Sequence, residues 1–287
     1  MAQVIIDKQN GELAFRLEEF RDLSQFDHLQ RKNYYSIIVL NDSLIDLSVD
    51  FSTFRIDGEY IVCISPYQPF MLASGQSASG YLLNFHPDFF CTYRHQNEIE
   101  TEGVLFHNFN QPPYFEVDEI KTFHNLIAQM SREMQNDSIA QHEVLVAYLK
   151  IFLIESVRQK KQFDKTQLNH TSGHQSTVIH QLVDLIEDKF CVLHSPQEYA
   201  ELMCLSSRNL AAITKKFLNQ TLSDLIISRV IIEAKRELYL TSKTIKEVSA
   251  LLGYQDEFYF SRLFKKKVGV SPDVYRKTVG FAKLEKP

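Results

Sequence analysis

The sequence predicts an α+β chain of two domains: a β-rich front part followed by two helices, and an all-α C-terminal third. Three observations carry this expectation. Short β-branched and aromatic runs, separated by turn formers, fill the stretch before Val117. From Val117 the apolar period turns helical. A polar segment, Gln159–Thr177, then precedes a second helical stretch beginning at Val178. With 287 residues, 44% apolar and 23% charged, the chain is long enough for two buried cores.

In the front part, Tyr34–Leu40 is a dense β-forming run, and Leu44–Ile56 alternates apolar and polar side chains. Tyr60–Ser65, Phe70–Leu72 and Tyr81–Phe85 are further short runs. Asn41-Asp42, Asp57-Gly58, Ser65-Pro66 and Gly75–Gly80 fall between them as turns. Such spacing suggests a sandwich or barrel, with an open α+β sheet as the alternative. Ile120, Phe123, Leu126, Ile127 and Met130 then mark one helix, and Val144 to Val157 a second, broken near Asn136-Asp137. Their apolar faces either seal the sheet or pair with a second copy. The boundaries expected are a first domain over 1–160, an exposed linker over 161–177 and a second domain over 178–287.

The second domain repeats itself. Ser195-Pro196 starts a helix, and Glu198, three residues after Ser195, completes a capping box. A turn at Cys204-Leu205 leads to Ser206 as a new cap and a helix Ser207–Leu218. A long helix, Leu222–Leu240, follows. Thr244 and Glu247 then form a second capping box for Ile245–Leu252, Gly253 provides the turn, and Asp256 caps Glu257–Val268, which Gly269 ends. Ala200, Cys204, Leu210, Thr214 and Asn219 stand opposite Ser249, Gly253, Phe260, Phe264 and Gly269. The offset is 49 residues before the turn and 50 after it. Two short helices joined by a tight turn, the second rich in lysine, match a helix-turn-helix, and here there are two.

Charge divides along the same line. The whole chain carries −5, but from His174 onward 17 Lys and Arg stand against 13 Asp and Glu, while the preceding residues hold 14 against 23. The basic part can approach phosphates and the acidic part cannot readily do so.

The segment Ile245–Arg276 resembles the C-terminal signature of the AraC/XylS family of transcription regulators. Leu252-Gly253-Tyr254, Tyr259-Phe260-Ser261-Arg262, Phe264-Lys265-Lys266, Gly269, Ser271-Pro272 and Tyr275-Arg276 fall where that family has them. Arg229, Glu233, Ala234 and Lys235 resemble its linker helix. The front part resembles the family's cupin-like sensing and dimerisation domain. The resemblance implies a cupin-like barrel before a homeodomain-like double helix-turn-helix module. It also implies a homodimer that binds double-stranded promoter or operator DNA, a small-molecule effector and contact with RNA polymerase.

In such a module the exposed face of each second helix enters the major groove. In the second unit that face carries Glu257, Phe258, Ser261, Arg262 and Lys265, while Phe260, Leu263 and Phe264 fall at core spacing. Arg262 has the forked donors that match guanine O6 and N7, with a salt bridge or phosphate contact as its alternative. Glu257 either accepts from a cytosine amino group or favours the positive helix N-terminus. Lys265, Lys266 and Lys267 are expected at phosphates, as are Ser195, Lys215 and Lys216. Arg276 is placed to anchor or to pack. The first unit departs from the family: Cys204 replaces the turn glycine, Ala212 the common Arg, Thr214 the common Phe and Asn219 a Gly. Ala211 and Ala212 can touch a thymine methyl but form no bidentate bonds, so Arg208 and Asn209 remain its readers. The first unit is therefore expected to read less than the second.

Tyr34, Phe51, Phe54, Tyr60, Tyr81 and Phe85 are candidates to line an effector pocket, or simply fill the core. No cofactor is expected. His28, His86, His95 and His107 are scattered and no His-x-His occurs, and His170 and His174 lie in the polar segment without a third ligand, so no metal site is expected. Cys63, Cys91, Cys191 and Cys204 show no metal or redox spacing and read as free thiols. Cys63 and Cys91 also lack the Pro-Cys context that an enzyme carrying a DNA-binding tail would show. Met1–Phe20 lacks a signal peptide and no apolar run spans a membrane, which points to the cytoplasm. The competing reading is a constitutive regulator whose front domain only dimerises.

Overall fold

A computed structural model describes all residues except 1, 8–10, 12, 51, 75–77, 91, 93–98, 100, 102, 109–110, 136–138, 171–173, 219 and 280–287. The side chains of 74, 167–170, 174–177, 180 and 217 are likewise not described. The chain divides into two compact units whose boundary along the sequence falls at Asp164 and Lys165.

The first unit is an antiparallel sheet with two helices. Its strands are β1 (Gln3–Ile6), β2 (Leu13–Phe20), β3 (Tyr35–Val49), β4 (Ser52–Ile64), β5 (Phe70–Ser74), β6 (Ser79–Phe85) and β7 (Tyr114–Glu116). They pair in the order β1-β2-β6-β3-β4-β7, with β5 on the far half of β3. β1 and β2 are strands for which the sequence carries no stated expectation.

Two turn signals proved to be something else. Asn41-Asp42 and Asp57-Gly58 do not end strands; Asn41-Asp42 forms a register shift between Leu40 and Ser43 inside the β3–β4 ladder, and Gly58 and Asp57 pair with Ser43 and Leu44 just beyond it. Asp42 at φ 30° and Gly58 at φ 121° absorb the irregularity. The runs expected as separate strands therefore join into two long ones. The bulge lets β3 pair with β6 through Tyr35–Asn41 and with β5 through Ile45–Val49. The sheet is bent rather than built of many short hairpins.

Strand alternation gives the sheet two apolar faces. One carries Ile38, Leu40, Leu47, Val62, Ile64, Leu72 and Leu82. The other carries Phe15, Tyr35, Ile37, Val39, Leu83 and Phe85, and is covered by α1 (Ile120–Gln135) and α2 (Gln141–His170) through Phe123, Ile127, Met130, Leu145, Leu149 and Phe152. Of the two roles left open for these helices, sealing the sheet accounts for their most buried residues.

The segment Gln159–Thr177 differs from the expected exposed linker. α2 continues to His170 and α3 (His174–Lys189) begins four residues later. Polar composition suggests coil, but Gln, Lys and Leu are good helix formers, and Gly173 is the only strong breaker in the segment. Lys160 is 1% exposed and pairs with Asp164 one turn on. The pair carries the helix past the start of the polar segment with that lysine inside the fold.

The second unit is all helical. It comprises α3, α4 (Pro196–Leu202), α5 (Ser207–Leu218), α6 (Leu222–Leu240), α7 (Ile245–Leu251), α8 (Glu257–Val268) and α9 (Pro272–Val279). α6 is its axle. Leu225, Ile226, Val230, Ala234 and Leu238 are fully buried, and Arg229 lies 3.9 Å over the Phe190 ring while pairing with Glu187 at 2.7 Å and Glu233 at 3.2 Å. That fixes the end of α3 to α6 by stacking and charge together.

No helix among the described residues is long and apolar enough to cross a membrane, and no group of three metal-ligating side chains is found among them. Cys63 is buried, and burial pushes its thiol up to about 12, so it is a core residue and no nucleophile at neutral pH. Cys91, His95 and Asn219 lie outside the described residues, as do the side chains of His170 and His174.

Candidate nucleic-acid interface

The repeat seen in the sequence holds atom by atom in the backbone. Ser195 and Thr244, 49 residues apart, each cap a helix and each complete a capping box, with Glu198 and Glu247. Cys204 and Gly253, also 49 apart, both turn left-handed, at φ 54° and φ 80°. Each closes its helix with the same two bonds: Cys204 N to Glu201 O and Leu205 N to Ala200 O, against Gly253 N to Ala250 O and Tyr254 N to Ser249 O. Ser206 and Asp256, 50 apart, then receive the amides of Asn209 and Tyr259 respectively. Both second helices run for 12 residues.

The two turns differ in surroundings. A Cβ at Gly253 would lie 2.1 Å from Cys191 O and 3.0 Å from the His194 ring. The His194 ring stacks on Tyr254 at 4.4 Å. So the loop after α3 is pressed onto the second turn, and only glycine fits there. Cys204 is exposed, and its left-handed backbone costs about 1 kcal/mol without any such packing.

Each second helix buries one stripe and exposes the opposite one. α5 buries Leu210, Ile213 and Thr214; Arg208, Asn209, Ala211, Ala212, Lys215 and Lys216 are exposed. Thr214, where an aromatic was expected, is fully buried and donates its hydroxyl to Leu210 O at 2.8 Å, so the polar group is satisfied in place. α8 buries Phe260, Phe264 and Val268, and exposes Phe258, Tyr259, Arg262, Lys265 and Lys266, with Glu257, Ser261 and Leu263 half-buried. Positions 208, 211, 212 and 215 correspond to 258, 261, 262 and 265, one stripe on each helix.

The stripes are unlike chemically. Arg262 reaches to 4.0 Å from the Asp256 carboxylate, and both groups are largely exposed. The contact biases the guanidinium toward the helix N-terminus without neutralising it in a buried pair. Its counterpart is Ala212. Phe258 is 73% exposed and Tyr259 52%. Phe258 is expected on this face from the sequence and Tyr259 is not; the place of Tyr259 three residues after the Asp256 cap, off the Phe260–Phe264 core stripe, is the signal that would have found it.

Lys267, Arg276 and Ser195 have partners inside the unit. Lys267 is no surface anchor: its Nζ meets Asp224 at 2.6 Å, at the start of α6, and is mostly buried. Arg276 donates to Leu238 O at 3.3 Å and to Lys243 O, closing the end of α6 and the following loop. Ser195 accepts from Gln197 N as an N-cap and remains exposed beside the amides that begin α4.

Of the six aromatics proposed for a pocket, the five among the described residues do not gather on one face. Phe85 is stacked on Tyr35 at 4.9 Å and Tyr81 faces His124 at 5.4 Å, both on the helix-covered face. Phe54 and Tyr60 pack with Tyr114 against the opposite face. Tyr34 is half-buried near Arg16, and Phe51 lies outside the described residues.

A family model described as a helix-turn-helix domain matches residues 199–278. The chain is similar to the raffinose operon transcriptional regulatory protein RafR of Pediococcus pentosaceus, 26% identical over 98 residues. That match covers 34% of this chain and 35% of the relative. It is also similar to the HTH-type transcriptional regulator GbdR of Pseudomonas aeruginosa, 25% identical over 130 residues, covering 45% of this chain and 35% of that protein. Among solved structures, the C-terminal domain of AraT, a response regulator from Geobacillus stearothermophilus, is 27% identical, covers 40% of this chain and 95% of its own, and has a TM-score of 0.37. The chain thus spans about a third of the length of the first curated relatives, which are transcriptional regulators and not enzymes. With the doubled capping boxes and turns, the family model makes residues 199–278 of the chain a helix-turn-helix domain.

Proposed function

We propose that the protein is a sequence-specific transcription regulator that lays α5 and α8 in the major groove of promoter DNA. The observation that carries this is the doubled turn: two second helices of equal length, each capped and each exposing a polar or basic stripe. Arg262, with Phe258 and Ser261, reads bases from α8; Arg208 and Asn209, with the methyls of Ala211 and Ala212, read from α5. Lys215, Lys216, Lys265 and Lys266 hold phosphates, and the exposed Ser195 hydroxyl donates to another. Glu257, at the N-terminus of α8, either accepts from a cytosine or simply complements the helix dipole.

The first unit, up to about residue 160, serves in this reading as a cupin-like effector and dimerisation domain. The bent sheet with one face sealed by α1 and α2 supports it. A homodimer would place four such helices along an operator and contact RNA polymerase from the bound site, and the protein would act in the cytoplasm.

The test is to recover DNA bound by the full chain from its own genome and to measure affinity for those fragments. Enrichment of promoter sequences, with a log–log salt slope of several units, is expected. Uniform recovery, with affinity unchanged by Arg262→Ala together with Lys265→Ala, contradicts the reading.

A further inference from the structure

Arg16 on β2, Asn84 on β6 and Ser36 on β3 stand side by side across three strands, Arg16 opposite Asn84 and Asn84 opposite Ser36. Their chain neighbours Leu17, Leu83 and Ile37 belong to the helix-covered core, so this polar row lies on the other face, with Ile38, Ile64 and Leu82. Cross-strand partners on one face are close enough for their side chains to meet a common group.

The row is buried and unfinished. Asn84 and Ser36 are 2% and 1% exposed. Asn84 Nδ2 donates to Ser36 Oγ at 2.9 Å, while its Oδ1 is buried and accepts nothing. Arg16 Nε is buried and donates to nothing, although the guanidinium is paired with Glu18 at its outer end. Buried polar atoms in native proteins are rarely left in this state, and a donor and an acceptor in one row point to a missing partner. The Arg16 and Glu18 side chains are 29% and 20% exposed, so the row opens to solvent at β2.

We infer that Arg16, Asn84 and Ser36 form the polar end of a small-molecule site, and that the site takes an uncharged molecule bearing hydroxyl groups. A hydroxyl accepts from Arg16 Nε and donates to Asn84 Oδ1 at once. It still fits if the Asn84 amide is turned over, since it then accepts from both. A carboxylate does not fit: Arg16 is already balanced by Glu18, and a second anion would leave one partly buried negative charge uncompensated. The apolar part of the ligand would lie toward Leu82 and Ile38. The inference rests on the reading that the first unit senses a small molecule.

The experiment uses the full chain without DNA, titrated by calorimetry and thermal unfolding with trans-1,2-cyclohexanediol, myo-inositol and cyclohexanecarboxylate. Saturable binding of at least one hydroxyl probe is expected, with at least tenfold weaker binding in Asn84→Leu and no measurable binding of the carboxylate. Ser36→Ala and Arg16→Gln serve if Asn84→Leu does not fold. The inference is overturned if neither hydroxyl probe binds, if the folded variants bind as well as the wild type, or if the carboxylate binds tighter. Operator binding, measured on the same protein without probes, tells failure of this site from failure of the DNA-binding reading.

Discussion

Cys204 and Gly253 occupy the same place in two copies of one turn, with the same left-handed backbone and the same pair of closing hydrogen bonds. Around them the copies diverge. Gly253 has Cys191 O and the His194 ring pressed against it, and its following helix exposes an arginine and two aromatics. Cys204 is open to solvent, and its following helix exposes two alanines where the other has Ser261 and Arg262. Backbone form and reading chemistry are thus separable: capping boxes and turn geometry set the angle at which a helix is presented, while the exposed stripe sets what it can recognise. A repeat can keep the first and lose much of the second.

The largest expected effect is at the packed turn. Gly253→Ala combines a left-handed backbone with a Cβ 2.1 Å from a carbonyl oxygen, and should lower stability by about 2–4 kcal/mol, read by urea unfolding. The mirror change, Cys204→Gly, should raise stability by up to about 1 kcal/mol. If both changes moved stability equally, the two turns would be equivalent and the comparison would fail.

Lysines sharpen it next. Lys267→Ala removes the partner of Asp224 and should cost about 1–2 kcal/mol of stability, with little change in the salt dependence of DNA binding. Lys265→Ala and Lys266→Ala should do the reverse, leaving unfolding unchanged and reducing the salt slope by about 1 each. Thiol chemistry gives the smallest and simplest readout. Cys204 should react with a soluble disulfide reagent in the native protein, while Cys63, buried with its thiol at about 12, should stay silent until unfolding.

How much of this was legible beforehand follows from where the determinants lie. The second unit was readable almost to the residue because its signals are local: Ser195 with Glu198, Thr244 with Glu247, Asp256 and Gly269 each act within a few residues. The first unit was readable only in class. Asp57-Gly58 is a turn signal in isolation, and what keeps it inside a strand is its partner strand near Ser43. Lys160 looked like part of a polar linker because its burial depends on tertiary packing. The Arg16–Asn84–Ser36 row escaped for the same reason, as its members come from three strands far apart in sequence. Lys267 reads as a phosphate anchor, and Arg276 as either an anchor or a packing residue, until Asp224 and the end of α6 are placed beside them.

The central claim is that the two units are unequal readers. Its most direct measurement compares Arg208→Ala with Arg262→Ala, each as the ratio of affinity for a recovered operator to affinity for random duplex at one salt concentration. The account predicts a loss of about 1–3 kcal/mol of discrimination from Arg262→Ala, a clearly smaller loss from Arg208→Ala, and a gain or change of preference from Ala212→Arg. Equal losses from Arg208→Ala and Arg262→Ala would contradict it.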